Sequence, residues 1–109
     1  MSQRIEKLNK LIRQHLNEIL TRNLSVKPGV FLTISKVDTT ADLRYTRVSI
    51  SVFPEKEAAY VMKTLKKEAY DIQGELNRRL QMKQLPRLQF INDETESKAD
   101  VIEKILKEI

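Results

Sequence analysis

The sequence predicts an α+β fold in which three strands form one sheet and helices cover one of its faces. Apolar residues recur at helical spacing in three segments and alternate with polar residues in three others, and only two Gly and three Pro residues interrupt these patterns. The expected order of elements is α-β-β-α-α-β-α. Since 109 residues have room for one hydrophobic core, residues 1–109 are expected to form a single domain.

The first segment predicts an amphipathic helix over about 3–22. Its apolar residues, from Ile5 to Leu20, fall on one helical face, and lysines and arginines lie between them. The pattern then breaks, because Pro28 lacks an N–H donor and Gly29 permits a positive φ. A turn is therefore expected before the first strand.

The next two segments predict an antiparallel hairpin. Residues 30–37 and 44–53 alternate between apolar and polar side chains, and the segment 38–42 between them is short and polar. One face of each strand is expected to be buried. The predicted inward residues are Val30, Leu32, Ile34, Thr46, Val48, Ile50 and Val52.

A long helical pattern runs from 55 to 83, with apolar residues in phase throughout. A straight helix of this length would extend for about 43 Å, which exceeds the diameter of about 30–35 Å expected for a globular protein of this size. A bend that divides the pattern into two helices is therefore expected between Ala69 and Gly74.

The last third of the chain predicts a short strand and a final helix. Leu85-Pro86 ends the long helical pattern, and Leu88 and Phe90 alternate with polar residues in a third strand. Residues 97–109 begin with a sequence similar to a capping box and carry an apolar stripe. This segment is expected to form the C-terminal helix.

The charge is unevenly distributed along the chain. The net charge is +5, but residues 92–109 hold three Lys and six acidic residues, a balance of −3, which leaves +8 on residues 1–91. Such a basic body favours an acidic partner, either a nucleic acid or an anionic membrane surface. A solvated helix face is the competing interpretation.

Several functional classes are excluded by composition. The absence of Cys excludes disulfides, Cys-ligated zinc and a thiol nucleophile, and the single histidine, His15, excludes multi-His metal sites. No apolar run in the sequence exceeds five residues, which is too short for a membrane span. We therefore expect a cytoplasmic protein that is not an enzyme and has no cofactor or metal.

Aromatic residues are few, so a base-stacking surface is weakly indicated. Tyr45, Phe53, Tyr60 and Tyr70 are available, and only Tyr45 and Phe53 are placed on the outward face of the predicted sheet. Phe31 and Phe53 are expected to cap the edge of the core rather than to stack on bases.

Two runs of residues resemble a known family. Phe31–Val37, followed by Asp42–Val48 and Ser51-Val52, is similar to the paired strands of the ribosome-binding factor A family, and Leu76–Asp93 is similar to its later helix and third strand. The resemblance covers nearly the whole chain. It implies a bacterial small-subunit assembly factor with a type-II KH-like domain. The only glycines are Gly29 and Gly74, so the GxxG loop of a standard KH module is absent.

The resemblance implies a monomeric, non-enzymatic factor that binds the free small (30S) ribosomal subunit and 16S rRNA. It also implies a role in late maturation and 16S rRNA 5′-end processing, with a ribosome-associated GTPase as a further partner. A KH-like module for another structured RNA and a protein-interaction adaptor remain as alternatives. The residues expected to contact rRNA are Lys66, Lys67, Arg78, Arg79, Lys83, Arg87, Arg44, Arg47 and Arg4.

Three positions differ from the family pattern. Ala69 is followed by Tyr70 without the glycine of the family's interhelical kink. Lys83 stands where arginine is usual, which keeps the charge but loses bidentate phosphate geometry. Lys27-Pro28-Gly29 replaces the family's Asp-Pro-Arg before the first strand.

Overall fold

The computed structural model describes residues 3–83 and 85–93, which form two helices packed on a three-stranded mixed sheet. The sheet order is β1-β2-β3, with β2 antiparallel to β1 and parallel to β3. The predicted α+β class is confirmed. The elements are α1 (Gln3–Asn23), β1 (Phe31–Thr39), β2 (Tyr45–Phe53), a 3-10 turn (Glu55–Glu57), α2 (Ala58–Leu80) and β3 (Arg87–Asn92).

The core lies between the helices and one face of the sheet, which we call the inner face. Both helices contribute side chains spaced at three or four residues, and β2 contributes every second residue, as its alternation predicts. Removing these apolar groups from water is the main source of stability. The fully buried apolar residues include Ile12, Leu16, Ile19, Val48, Ile50, Val61, Leu65 and Leu76.

The opposite face of the sheet, the outer face, is exposed. Phe31 of β1 and Phe53 of β2 are register partners at one end of this face, and they are 63% and 70% exposed. The expectation that they cap the edge of the core is therefore wrong. Both residues fall on the outward side of the pleat, and no described element covers that side.

Helix α2 runs without interruption from Ala58 to Leu80, so the expected division into two helices is also wrong. The helix has 23 residues rather than the 29 expected, and a helix of that length extends for only about 34 Å. It starts after the 3-10 turn and ends where Gln81 adopts a left-handed conformation with φ of 50°. The described order is thus α-β-β-α-β, and the predicted helix at 97–109 lies outside the described residues.

A tight turn precedes β1, and an ion pair joins it to the 3-10 turn that precedes α2. The N–H of Val30 donates to the carbonyl of Lys27 at 3.2 Å, and Gly29 has a φ of 85°, which matches a type II turn with Pro28 in its first central position. The Nζ of Lys27 lies 2.8 Å from a carboxylate oxygen of Glu57. The turn predicted from Pro28 and Gly29 is confirmed.

The hairpin between β1 and β2 turns through residues 40–44, two positions later than expected. The carboxylate of Asp42 accepts hydrogen bonds from the hydroxyl of Thr40 at 2.6 Å and from the N–H of Arg44 at 3.1 Å. The Thr40 hydrogen bond, together with that from Arg44, holds the pKa of Asp42 below its ordinary value. The charged side chain thus closes the loop.

Strand β1 contains a bulge at Ser35. Ile34 pairs with Ile50, but Lys36 pairs with Ser49, so Ser35 is an extra residue without a register partner. Its hydroxyl oxygen lies 3.1 Å from the carbonyl oxygen of Ser49 and 2.8 Å from a carboxylate oxygen of Asp93, and these two acceptors share its one proton. The bulge therefore links β1 to the residue that follows β3.

Candidate nucleic-acid interface

The largest group of predicted basic residues lies along the exposed side of α2. Lys66, Lys67 and Arg78 are exposed there, together with Lys63 and Tyr70, and their spacing of three, four or eight residues aligns them on one side of the helix. We call these five residues the α2 surface. Because α2 packs on the inner face of the sheet, the α2 surface points away from the sheet.

A second basic group lies on the sheet. Arg47 of β2 and Arg87 of β3 are exposed on the outer face, and Arg87 is the register partner of Tyr45. Arg44 precedes β2, and its carbonyl accepts the N–H of Arg87 at 2.8 Å. Its own side chain lies 3.8 Å from Asp42. The predicted contacts therefore divide between two opposite sides of the molecule.

Arg79 differs from the other predicted contacts because its side chain is only 19% exposed and is held between the helices. Its guanidinium donates to Glu18 of α1 at 2.5 Å and to Glu75 of α2 at 3.5 Å, and it lies 3.5 Å from Nδ1 of His15. The hydrogen bond to Glu18 raises the pKa of Arg79. Two carboxylates already compensate this charge, which leaves less of it for a phosphate.

Arg78, one residue earlier, is 71% exposed. Its guanidinium donates to Glu75 at 2.6 Å, and this hydrogen bond lowers the pKa of Glu75. An ion pair at such an exposed position is weak in water and exchanges readily for another anion. Of the two neighbouring arginines, Arg78 is therefore the one placed to meet a ligand.

The remaining predicted contacts lie near the ends of elements. Lys83 is exposed in the connection between α2 and β3. Arg4 is exposed in the first turn of α1. Neither belongs to the α2 surface.

Tyr70 is the feature of this interface that sequence analysis did not assign. Its side chain is 89% exposed in the middle of the α2 surface. The available signal was its position four residues after Lys66 and off the apolar stripe of the helix. An exposed ring between cations offers a stacking face, whereas the lysines and arginines offer only charge.

Exposed lysines and arginines supply the charge of this interface. Residues 3–83 and 85–93 contain no group of three or more His, Cys, Asp or Glu side chains able to hold a metal ion. Within the same residues, no helix is both long enough and apolar enough to cross a membrane. Exposed lysines and arginines neutralise phosphates and release counterions, which gives affinity without reading base sequence.

The α-β-β-α-β order, the mixed sheet and the basic helix define a KH-like α+β protein. The profile described as ribosome-binding factor A matches residues 4–106. The chain belongs to the ribosome-binding factor A family, as its resemblance predicts. It is 38% identical over 111 residues to ribosome-binding factor A of Prosthecochloris aestuarii, covering 99% of this chain and 90% of the relative.

Solved structures of the family share the fold. The crystal structure of ribosome-binding factor A from Thermus thermophilus is 26% identical, with a TM-score of 0.67, and the match covers 81% of this chain and 93% of that one. A homology model of the Thermus thermophilus protein, fitted into a cryo-EM map of a 30S–ribosome binding factor A complex, is 28% identical. Its TM-score is 0.65, with 78% of this chain and 90% of that chain covered.

Proposed function

We propose that this protein is a ribosome assembly factor that binds the free 30S subunit through 16S rRNA and supports late maturation, including 16S rRNA 5′-end processing. Membership of the ribosome-binding factor A family supports this proposal, and a similar protein has been fitted into a map of its 30S complex. The protein acts by binding rather than by catalysis, in the cytoplasm where subunits assemble. A ribosome-associated GTPase is its further proposed partner.

The α2 surface is the observation that carries the proposal for this chain. It places Lys63, Lys66, Lys67 and Arg78 on the exposed side of one continuous helix, away from the sheet. RNA backbones are bound by such rows of cations, because each neutralised phosphate releases condensed counterions. Arg79 supports this surface indirectly by fixing α2 against α1.

Charge reversal on each basic surface tests the proposal and locates the site. We compare Lys66→Glu/Lys67→Glu/Arg78→Glu on α2 with Arg47→Glu/Arg87→Glu on the sheet, each by co-sedimentation with purified 30S subunits. The α2 variant is expected to lose binding, and the sheet variant to retain most of it. The opposite result would assign the site to the sheet, and wild-type binding by both variants would contradict the proposal.

Salt dependence gives a second measure of the same contacts. The logarithm of the affinity falls with the logarithm of salt concentration by about 0.7–0.9 for each phosphate contacted. Neutralising Lys66, Lys67 and Arg78 with glutamine should therefore reduce the slope by about 2–3. A flat dependence in the wild type would show that ribosomal proteins, rather than rRNA, provide the binding surface.

The role in maturation is tested in cells. Depletion of the protein should cause 16S rRNA precursors with extended 5′ ends to accumulate, measured by primer extension. The wild-type chain should restore processing, and the α2 charge-reversal variant should not. Normal 5′ ends after depletion would contradict the processing role while leaving subunit binding intact.

A further inference from the structure

The side chain of Tyr70 is almost fully exposed, so packing in the fold does not explain its position. At 89% it exceeds the other large apolar side chains exposed in the described residues, the next being Phe53 at 70%. Such an exposed ring buries little area against the protein. Its stacking faces therefore remain available to a ligand.

A depression of about 380 Å³ lies beside the ring, within the ~300–1,000 Å³ range of small-ligand sites. Gly74 lies one turn after Tyr70 and places no side chain in this space. A Cβ atom added at Gly74 would lie 3.7 Å from Nη1 of Arg78, so the guanidinium borders the same space. The lining includes Asn23, Tyr70, Asp71, Gly74, Asn77 and Arg78.

Acidic side chains line the depression, whereas Lys66 and Lys67 lie outside it. This arrangement suits a base inside the depression and its phosphates outside. Asp71 and Glu75 both line the depression, and Glu75 is paired there with Arg78. Asp71 is therefore the carboxylate that repels a phosphate but accepts hydrogen bonds from exocyclic amino groups. Lys66 and Lys67 lie one turn before Tyr70, outside the lining, where they can meet phosphates. A neutral, planar group with amino donors suits the interior of the depression.

The amides in the lining are not equivalent. Both ends of the Gln73 side chain are occupied, because its Nε2 donates to Asn77 and to the carbonyl of Pro86 and its Oε1 accepts the N–H of Leu88 at 2.8 Å. Asn23, at the end of α1, faces the depression from the other helix. Recognition of a base edge would therefore come from Asn23 and Asp71, with Gln73 as support.

We propose that Tyr70 and this depression bind one unpaired nucleobase of RNA, stacked on the tyrosine ring, with its flanking phosphates on Lys66 and Lys67. The inference rests on the proposed function, in which RNA is the partner. It adds a selectivity that charge alone cannot supply. Bases within a duplex are stacked on one another, so only a single-stranded or bulged nucleotide can enter.

Oligonucleotide binding by the full-length protein tests the inference without ribosomes. The probes are fluorescent single-stranded RNA hexamers of A and of U, and an RNA duplex of equal length, measured by anisotropy. Tyr70→Ala should weaken single-strand binding by about 5- to 140-fold, the equivalent of about 1–3 kcal/mol per stacked base. Tyr70→Phe should bind like the wild type, as should Phe31→Ala, which removes an exposed ring from the opposite side of the molecule.

Salt titration distinguishes stacking from charge. Tyr70→Ala should lower the affinity for the single strand with an unchanged salt slope, whereas Lys66→Gln/Lys67→Gln should reduce the slope by about 1–2. Unchanged affinity in Tyr70→Ala would overturn the inference, as would an equal loss on the duplex. Reduced 30S binding without reduced oligonucleotide binding would also overturn it, because the ring would then contact a ribosomal protein.

The two proposals fail separately. A wild-type protein that does not co-sediment with 30S subunits contradicts the ribosomal proposal. If its oligonucleotide binding still depends on Tyr70, the base site stands as part of a module for another RNA.

Discussion

Arg79 of α2 and Glu18 of α1 form an ion pair of 2.5 Å that joins the two helices. Glu75 accepts a further hydrogen bond from Arg79 at 3.5 Å, and the arginine side chain is 19% exposed. This ion pair adds a charged contact to the apolar contacts that hold α1 and α2 in the core. The α2 surface lies on the same helix.

The first prediction concerns this ion pair. Arg79→Gln and Glu18→Gln should each lower the midpoint temperature of thermal unfolding. The double variant should lower it by less than the sum of the two single decreases, because each substitution removes the same contact. Arg78→Gln is the matched control and should leave the midpoint nearly unchanged. Strictly additive losses would show that Arg79 and Glu18 do not interact in solution.

The second prediction is a dependence of stability on pH. Hydrogen bonds from Arg79 and Arg78 lower the pKa of Glu18 and of Glu75 from the ordinary value of 4.5. A carboxyl whose pKa is lower in the folded state stabilises the fold above its ordinary pKa and loses this contribution as the pH falls through the lowered value. The midpoint of wild-type unfolding should therefore fall between ~pH 6 and ~pH 3 by more than that of Glu18→Gln/Glu75→Gln. Equal falls would contradict the assignment.

The third prediction compares two positions on α2. Leu65 is fully buried, so Leu65→Ala should reduce the free energy of unfolding by about 2–5 kcal/mol. Tyr70→Ala, on the exposed side of the same helix, should change it by less than about 0.5 kcal/mol. Urea denaturation measures both. A large loss in Tyr70→Ala would indicate that the ring packs against the protein.

The fourth prediction is that substitution by alanine destabilises the protein at Gly29 and stabilises it at Gly74. Gly29 has a φ of 85°, and an L-residue in this region is strained, so Gly29→Ala should cost about 1–2 kcal/mol. Gly74 is helical, and an added Cβ would meet Arg78 at an ordinary 3.7 Å. Gly74→Ala should therefore stabilise the protein by up to about 1 kcal/mol. Two losses of equal size, measured by urea denaturation, would show that the helix is distorted at Gly74.

The sequence predicted the elements whose signal is local. The amphipathic pattern of α1, the alternation of β2 and the turn at Pro28-Gly29 each depend on neighbouring residues, and each was confirmed. The continuity of α2 was not predicted, because apolar periodicity does not mark where a helix begins or ends. The left-handed conformation at Gln81 and the 3-10 turn at 55–57 shorten the helix enough to remove the need for a bend.

The sequence indicated which types of residue form the candidate site, but not how they are arranged in space. Lys66, Lys67 and Arg78 are exposed, as a basic binding surface requires. The separation of Arg79 from this group could not be predicted, because its partner Glu18 is 61 residues away in sequence. Tyr70 was identified only as an available aromatic, because its exposure depends on which face of α2 meets the sheet.

The bulge at Ser35 changes which residues of β1 face the core. Before it, even-numbered residues such as Ile34 point inward, and after it the inward residues are odd-numbered, as with Thr39. A relative with one residue fewer at this point would present the same inward side chains in simple alternation. Alignments of such relatives must place the gap at Ser35, since a gap in the following loop would match the buried residues between the bulge and the loop with solvent-facing ones.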